Sequence, residues 1–168
     1  MASSCNSVTQ NIEVYETSES GNKMTKRTDF VSQDKLSTIV LDASKEFQTI
    51  TGFGGAFTES SAYLLNKMSA EKRHQILSAY FAKDGARYSL ARTHMNSCDF
   101  SLSNYSYTPV EADKSLKHFS IDQDKEDLIP MIKDAMAISQ EGFRLFASPW
   151  TAAPWMKDNN SWVGGKLL

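Results

Sequence analysis

The pattern of hydrophobic and polar residues changes character near Gly52. Before that point, short apolar runs alternate with polar residues, over residues 12–15, 36–41 and 47–51. A period of two is typical of a half-buried β-strand. Residues 12–50 therefore predict several strands of a sheet of their own, whereas the polar residues 1–11 predict a disordered N-terminus.

After Gly52, strand-like and helix-like segments alternate, which is typical of βα units and a parallel sheet. The predicted strands cover residues 52–57, 88–92 and 143–147. The predicted helices cover residues 58–67, a segment capped by Ser69, and a segment that Asp122 and Asp124 lead into, whose regular turns begin at Pro130 and which Gly142 ends. A polar and aromatic connection of residues 95–120 separates the second strand from the last helix, and connections this long are usually functional or disordered.

Composition narrows the function classes. The chain has 168 residues, a formal net charge of −2 and 40% hydrophobic residues, so it can bury a real core. A net charge this close to zero argues against nucleic acid or an anionic membrane surface as the main partner. No apolar run approaches the roughly 20 residues that a membrane-spanning helix needs, so we expect no stable membrane insertion.

Cysteine and histidine indicate neither a disulfide framework nor a metal site. Cys5 and Cys98 are the only cysteines, and the three histidines stand at no metal-ligand spacing from one another. The segment Ala2-Ser3-Ser4-Cys5 resembles the end of a lipoprotein cleavage site, although it also suits an ordinary polar N-terminus. If an upstream signal exists, we expect an exported protein: extracellular, periplasmic, or anchored through a lipidated Cys5.

Polar or aromatic residues follow each predicted strand of the βα half. They are Phe57-Thr58-Glu59, Cys98-Asp99-Phe100 and Ser148-Pro149-Trp150. Because the carboxyl ends of parallel strands lie on one side of a sheet, these residues should meet where α/β folds bind ligands. A carboxylate and an indole suit a sugar, since the carboxylate accepts hydrogen bonds from hydroxyls and the ring covers the apolar C–H face.

Plainer interpretations of the same residues remain open. Asp99 could cap a helix, Trp150 could fill the core, and Arg92 and Asp99 could be solvated or pair with each other. The glycine-rich segment at Gly52, Gly54 and Gly55 could cradle a phosphate, or could let a strand pack closely against its neighbours.

Three segments together resemble glycoside hydrolase family 30, the glucosylceramidase-like enzymes. They are QTITGFGGAFTES, YSLARTHMNSCDFS and FRLFASPWTAAPWMK, followed by WVGGKLL, and the resemblance covers residues 14–168. It implies an α/β fold in which residues 51–168 form the N-terminal part of a (β/α)8 TIM barrel. Residues 12–50 then supply strands to a β-sandwich side domain.

The resemblance also implies a retaining β-glycosidase that needs no cofactor and acts on a β-glucoside or a glucosylceramide-like substrate. Such enzymes use two carboxyl groups about 5 Å apart, one as acid/base and one as nucleophile. It implies that Asp99 hydrogen-bonds the terminal sugar with help from Trp150, and that Phe100 lines the rim of the site. Arg92 then supports the nucleophile from beneath.

The sequence departs from the family pattern at the catalytic pair. In the family, the acid/base glutamate follows an Asn after the fourth strand and the nucleophile ends the seventh, whereas the chain contains no Asn-Glu-Pro. A whole barrel takes about 250 residues. We therefore expect an incomplete barrel of three βα units, a fragment without either catalytic glutamate. The alternative is a carbohydrate-binding module without catalysis.

Overall fold

The computed structural model describes residues 12–29, 37 and 39–168. The chain divides into two compact units, residues 1–48 and 49–168. In the described part of the first unit, β1 (Val14–Glu16) and β2 (Thr25–Arg27) form an antiparallel hairpin with Tyr15 opposite Lys26. Arg27 holds the hairpin by ion pairs to Glu16 and, at 2.7 Å, to Asp29.

The hairpin confirms the strand predicted over residues 12–15 and adds a second strand that the pattern did not predict. The strand predicted over residues 47–51 is wrong, because these residues form no strand. A second strand was predicted over residues 36–41, and its described end, residues 39–41, is not a strand either. Ile39, Val40 and Leu41 are more than 80% exposed, at 84%, 81% and 89%. A β-branched run supplies propensity, but strand pairing needs a second backbone to complete its hydrogen bonds, and the described residues offer none.

The second unit is built on a three-stranded parallel sheet, as predicted. Its strands are β3 (Gly54–Ala56), β4 (Leu90–Met95) and β5 (Arg144–Pro149), in the order β3-β4-β5. β4 and β5 pair in register over all six residues. β4 continues to Met95, three residues beyond the predicted end.

The glycines of β3 allow close packing of strands. A Cβ atom on Gly54 would lie 1.6 Å from the backbone oxygen of Leu90, which no side chain can occupy. A Cβ atom on Gly52 would lie 1.9 Å from the Ser89 hydroxyl, and its φ of +155° favours glycine as well. The geometry therefore favours the packing interpretation of this segment over the phosphate cradle.

Within residues 49–168, all of which the structure describes, four α-helices lie between the strands. They are α1 (Glu59–Asn66), α2 (Ala70–Phe81), α3 (Asp122–Glu126) and α4 (Leu128–Ile138), and a short 3-10 helix follows at Pro154–Met156. The hydroxyls of Thr58 and Ser69 accept hydrogen bonds from the first turns of α1 and α2, so the predicted Ser69 cap is confirmed.

The segment after Asp122 is divided at Asp127, where φ is −125°, into α3 and α4, and α4 agrees with the helix whose regular turns were predicted to begin at Pro130. Pro130 lies in the first turn of α4, where its missing N–H removes no hydrogen bond within the helix.

The core lies between the helices and one face of the sheet. Its buried side chains come from the residue after β3, from β4 and from three helices: Phe57, Ala62, Leu65, Leu77, Phe81, Ala91, Leu128, Met131, Ile132 and Ala135. The rings of Phe57 and Phe81 stack with centroids 5.5 Å apart. Since strand residues alternate between faces, Leu90 and Arg92 lie on the side opposite Ala91. The helices thus cover the face of the sheet that carries Ala91, and Arg92 lies on the other face.

Candidate functional site

Two of the predicted site residues meet at the carboxyl ends of β4 and β5. The guanidinium carbon of Arg92 lies 4.4 Å from the centre of the Trp150 ring. The Trp150 backbone N–H donates to the carbonyl oxygen of Met95 at 3.4 Å, which joins the two strand ends. Trp150 is 43% exposed, so the alternative that it fills the core is wrong. A planar cation stacked on a half-exposed indole is a preformed polar and aromatic surface.

Asp99 and Phe100 lie in a tight turn just beyond β4. The Ser101 N–H donates to the Cys98 carbonyl oxygen at 3.0 Å, and the Ser101 hydroxyl accepts from the Cys98 N–H at 3.0 Å. Asp99 is exposed, and Phe100 is 58% exposed.

Asp99 keeps its carboxylate open to solvent. In the described part of the chain it neither pairs with Arg92 nor caps a helix, so these two plainer interpretations are wrong, whereas the interpretation that Asp99 is solvated agrees with its exposure. The carboxylate is free to accept hydrogen bonds from a ligand.

The turn is attached to the beginning of α1. The carbonyl oxygen of Phe100 accepts hydrogen bonds from the Ser60 N–H at 3.0 Å and from the Ser60 hydroxyl at 2.6 Å. The Leu102 N–H donates to Oε2 of Glu59 at 2.9 Å. The Glu59 side chain is almost completely buried.

A buried polar network lies behind the turn. Asp124, which is also buried, accepts hydrogen bonds from the hydroxyls of Tyr105, at 2.7 Å, and Tyr107. Burial raises the pKa values of both tyrosines, and the Asp124 carboxylate raises them further by favouring the protonated hydroxyls. These two tyrosines therefore stay neutral and hold the connection after β4 against α3.

Asn96 joins the connections that follow β4 and β5. Its φ of +62° is a left-handed conformation that asparagine tolerates, and it turns the chain out of β4. The side-chain oxygen accepts from the Tyr107 N–H at 2.9 Å, and the side-chain amide donates to the Thr151 carbonyl oxygen at 3.1 Å. The Trp155 indole N–H donates to the Thr108 carbonyl oxygen at 2.9 Å, which ties the same two connections together again.

The sequence interpretation placed Asp99, Phe100, Trp150 and Arg92 at one end of the sheet but missed the residues that support them. The sequence places Glu59 after a predicted strand but gives it no supporting role, because its partners lie 43 and 64 positions away along the chain. One local signal was available, because Glu59 directly follows a strand end, where side chains face a common edge. Nothing local indicated the network of Asp124 with Tyr105 and Tyr107.

The described residues show neither a cluster suited to metal binding nor a membrane-crossing helix. Residues 12–29, 37 and 39–168 contain no group of three or more His, Cys, Asp or Glu residues able to hold a metal ion. Over the same ranges, every helix is too short or too polar to cross a bilayer.

A polar and aromatic site at the carboxyl ends of parallel strands is typical of α/β proteins, both barrels and doubly wound sheets. The sequence model of the glycosyl hydrolase family 30 TIM-barrel domain matches residues 50–168. The chain belongs to this family, whose members are O-glycosyl hydrolases. Residues 50–168 are thus part of a TIM-barrel domain, and the described structure contains three of its parallel strands.

Similar proteins agree with this assignment. The chain is 41% identical to "Putative glucosylceramidase 3" of Caenorhabditis elegans, over 92% of the chain and 31% of that protein. It is 35% identical to the lysosomal acid glucosylceramidase of Mus musculus, over 90% of the chain and 30% of that protein. Among solved structures, the endo-β1,6-glucanase BT3312 matches with a TM-score of 0.71 and 31% identity, over 92% of the chain and 35% of the glucanase.

The chain therefore spans about a third of the length of the relatives it matches. This share agrees with a sheet of three parallel strands, because a TIM barrel has eight.

Proposed function

We propose that the chain forms one wall of the sugar-binding site of a retaining β-glycosidase of the glucosylceramidase type. The observation that carries the proposal is the meeting of an exposed Trp150 ring with Arg92 at the end of the sheet where TIM barrels bind substrates. Asp99 and Phe100 follow the neighbouring strand, β4, in a solvent-facing turn.

Each of the four residues has a role in the proposal. The Asp99 carboxylate accepts hydrogen bonds from hydroxyls of the terminal sugar, and Trp150 covers an apolar C–H face of the ring. Phe100 lines the rim. Arg92, which is always charged and is held in place by Trp150, orients the nucleophile carboxylate of the enzyme from beneath the sugar.

Catalysis in this proposal needs two carboxyl groups that the chain does not place at the site. A retaining glycosidase holds its acid/base and its nucleophile about 5 Å apart. Glu59 is hydrogen-bonded to the turn that carries Asp99, and both of its carboxylate oxygens already accept hydrogen bonds. We therefore propose that the chain by itself lacks both catalytic glutamates and has no hydrolytic activity.

The proposed substrates are β-glucosides. Two of the relatives are called glucosylceramidases, which makes glucosylceramide the first natural substrate to test. The similarity to an endo-β1,6-glucanase makes a β1,6-linked gluco-oligosaccharide the second.

Binding and hydrolysis assays test the proposal. The chain should bind methyl β-D-glucoside with a change in tryptophan fluorescence, and Asp99→Asn should weaken this binding about tenfold, since it exchanges a charged hydrogen-bond acceptor for a neutral one. Asp84→Asn is the matched control, because Asp84 is exposed and precedes β4 at the opposite end of the sheet. A wild-type chain that binds no β-glucoside would refute the proposed site, and turnover of an aryl β-glucoside by the chain would refute its lack of catalytic residues.

A carbohydrate-binding module without catalysis is the second candidate. The exposed Asp99 and the half-exposed Trp150 favour it, since they suffice to hold a sugar without chemistry. It predicts that a cooperatively folded monomer binds glucose-type ligands as tightly as any longer protein that contains the chain. A large gain of affinity in the longer protein would exclude the module.

The same proposal covers the rest of the chain. Residues 12–50, which include the hairpin of β1 and β2, supply strands to a β-sandwich side domain, and residues 51–168 belong to the barrel. Residues 1–11 lie outside the described residues. We propose that the protein is exported if a signal precedes Ala2-Ser3-Ser4-Cys5, a segment that resembles the end of a lipoprotein cleavage site. Absence of a lipid label on Cys5 after growth with radiolabelled palmitate would contradict anchoring through that cysteine.

A further inference from the structure

The Asp99 side chain has no contact that fixes its own direction. Within residues 39–168 it forms neither an ion pair nor a hydrogen bond, and it is exposed. A sugar hydroxyl needs an acceptor at about 2.7 Å and in good alignment. The position of Asp99 must therefore come from whatever holds the turn of residues 98–102.

That turn is held from outside at two points, and both belong to the first two residues of α1. Ser60 donates twice to the Phe100 carbonyl oxygen, on one side of the turn. Glu59 accepts from the Leu102 N–H at 2.9 Å, on the other side. Together the two contacts fix the turn against a helix that is itself packed into the core through Ala62 and Leu65.

Glu59 is placed to act as a rigid support. It is only 2% exposed, and its second oxygen accepts from the Gln123 side-chain amide at 2.8 Å. A buried carboxylate is tolerated only when its oxygens are hydrogen-bonded, and the N-terminal turn of a helix favours its negative charge. Removal of the carboxylate leaves the Leu102 N–H and the Gln123 amide without an acceptor.

We propose that Glu59 is a positioning residue for the sugar site. It anchors the turn of residues 98–102 to α1 and so aims the Asp99 carboxylate at a hydroxyl of the bound sugar. This inference rests on the proposed function, because it assigns to Asp99 the sugar contact proposed above. Glu59 itself touches no sugar.

The test combines binding with hydrogen exchange. Glu59→Ala should weaken binding of methyl β-D-glucoside about tenfold and speed hydrogen exchange at the Leu102 amide at least about tenfold, because a charge-assisted hydrogen bond is lost. Glu59→Gln should stay within about threefold of wild type, since its amide oxygen still accepts from Leu102 and Gln123 can turn its own side-chain oxygen toward the new amide N–H. Glu71→Ala is the matched control, because Glu71 also lies in the first turn of a helix, α2, but is exposed.

A double-mutant cycle separates positioning from general stability. In an Asp99→Asn background, Glu59→Ala should change affinity less than about twofold, because the group that it positions is already altered. If Glu59→Ala does not fold, Glu59→Asp serves in its place, since it keeps the charge but withdraws the oxygen by one methylene.

The possible outcomes are distinct. Equal sugar affinity in wild type and Glu59→Ala would overturn the inference and leave the proposed function standing. The same loss of affinity with and without Asp99 would also overturn it, by showing a purely structural role. A wild-type chain that binds no glucoside would overturn the proposed function, and this inference with it.

Discussion

The neighbouring strands β4 and β5 have the same length and direction but opposite environments. β4, with the sequence LARTHM, carries an arginine, a threonine and a histidine, yet Ala91 and His94 are buried. β5, with the sequence RLFASP, is more apolar at its centre, yet Leu145 and Phe146 are 42% and 59% exposed. The more polar strand is thus the better buried one.

The strands and helices that pack around β4 and β5 explain why the two strands differ in burial. β4 has a hydrogen-bonded strand on each side, and its Ala91 lies in the cluster with the helices. In the described part of the chain, β5 pairs with β4 alone. Burial of a strand therefore depends on what packs around it as much as on its own composition, and an apolar strand with an open edge is a site for association.

The largest effect on stability is expected when the same substitution, alanine to aspartate, is made on β4 and on β5. Ala91→Asp places a charge in the core, where it has no partner, and should abolish the cooperative unfolding transition. Ala147→Asp, at an exposed position of β5, should cost less than about 1 kcal/mol. Urea denaturation followed by circular dichroism measures both, and equal losses would show that β5 is covered in solution.

The second-largest effect on stability is expected when a leucine of the core and a leucine of β5 are each replaced by alanine. Leu128→Ala on α4 removes a side chain that is 1% exposed and should lower the free energy of unfolding by about 2–5 kcal/mol, through lost burial and the cavity left behind. Leu145→Ala on β5 should cost about 1 kcal/mol or less, because the leucine is already half in water. Thermal unfolding at one protein concentration compares them, and a larger loss at Leu145 would contradict the described environment of β5.

The smallest effect on stability is expected when two arginines on the same face of the sheet are each replaced by alanine. Arg92→Ala removes the cation over Trp150 and should cost about 0.5–1 kcal/mol, with a change in Trp150 fluorescence. Arg144→Ala, at an exposed position of β5, should leave both stability and fluorescence nearly unchanged. An identical fluorescence response in the two variants would show that Arg92 does not stack on Trp150 in solution.

Local signals predicted much of the second unit. Alternation of apolar residues, the Ser69 cap and the glycines indicated three parallel strands and most helices, and the motifs around Asp99 and Trp150 indicated the site. The errors have physical causes. Residues 47–51 have strand-like alternation but no described partner strand, and the helical segment that begins at Asp122 is interrupted where Asp127 leaves helical geometry.

By itself, the amino-acid sequence determined the family, the parallel order of the βα segments and the end of the sheet where Asp99, Phe100 and Trp150 lie, because these depend on short motifs and on periodicity. Only the tertiary structure decided that Arg92 stacks on Trp150, that Glu59 anchors the Asp99 turn and that β4 is buried while β5 is exposed. These features join residues far apart along the chain, and no local pattern encodes such a contact.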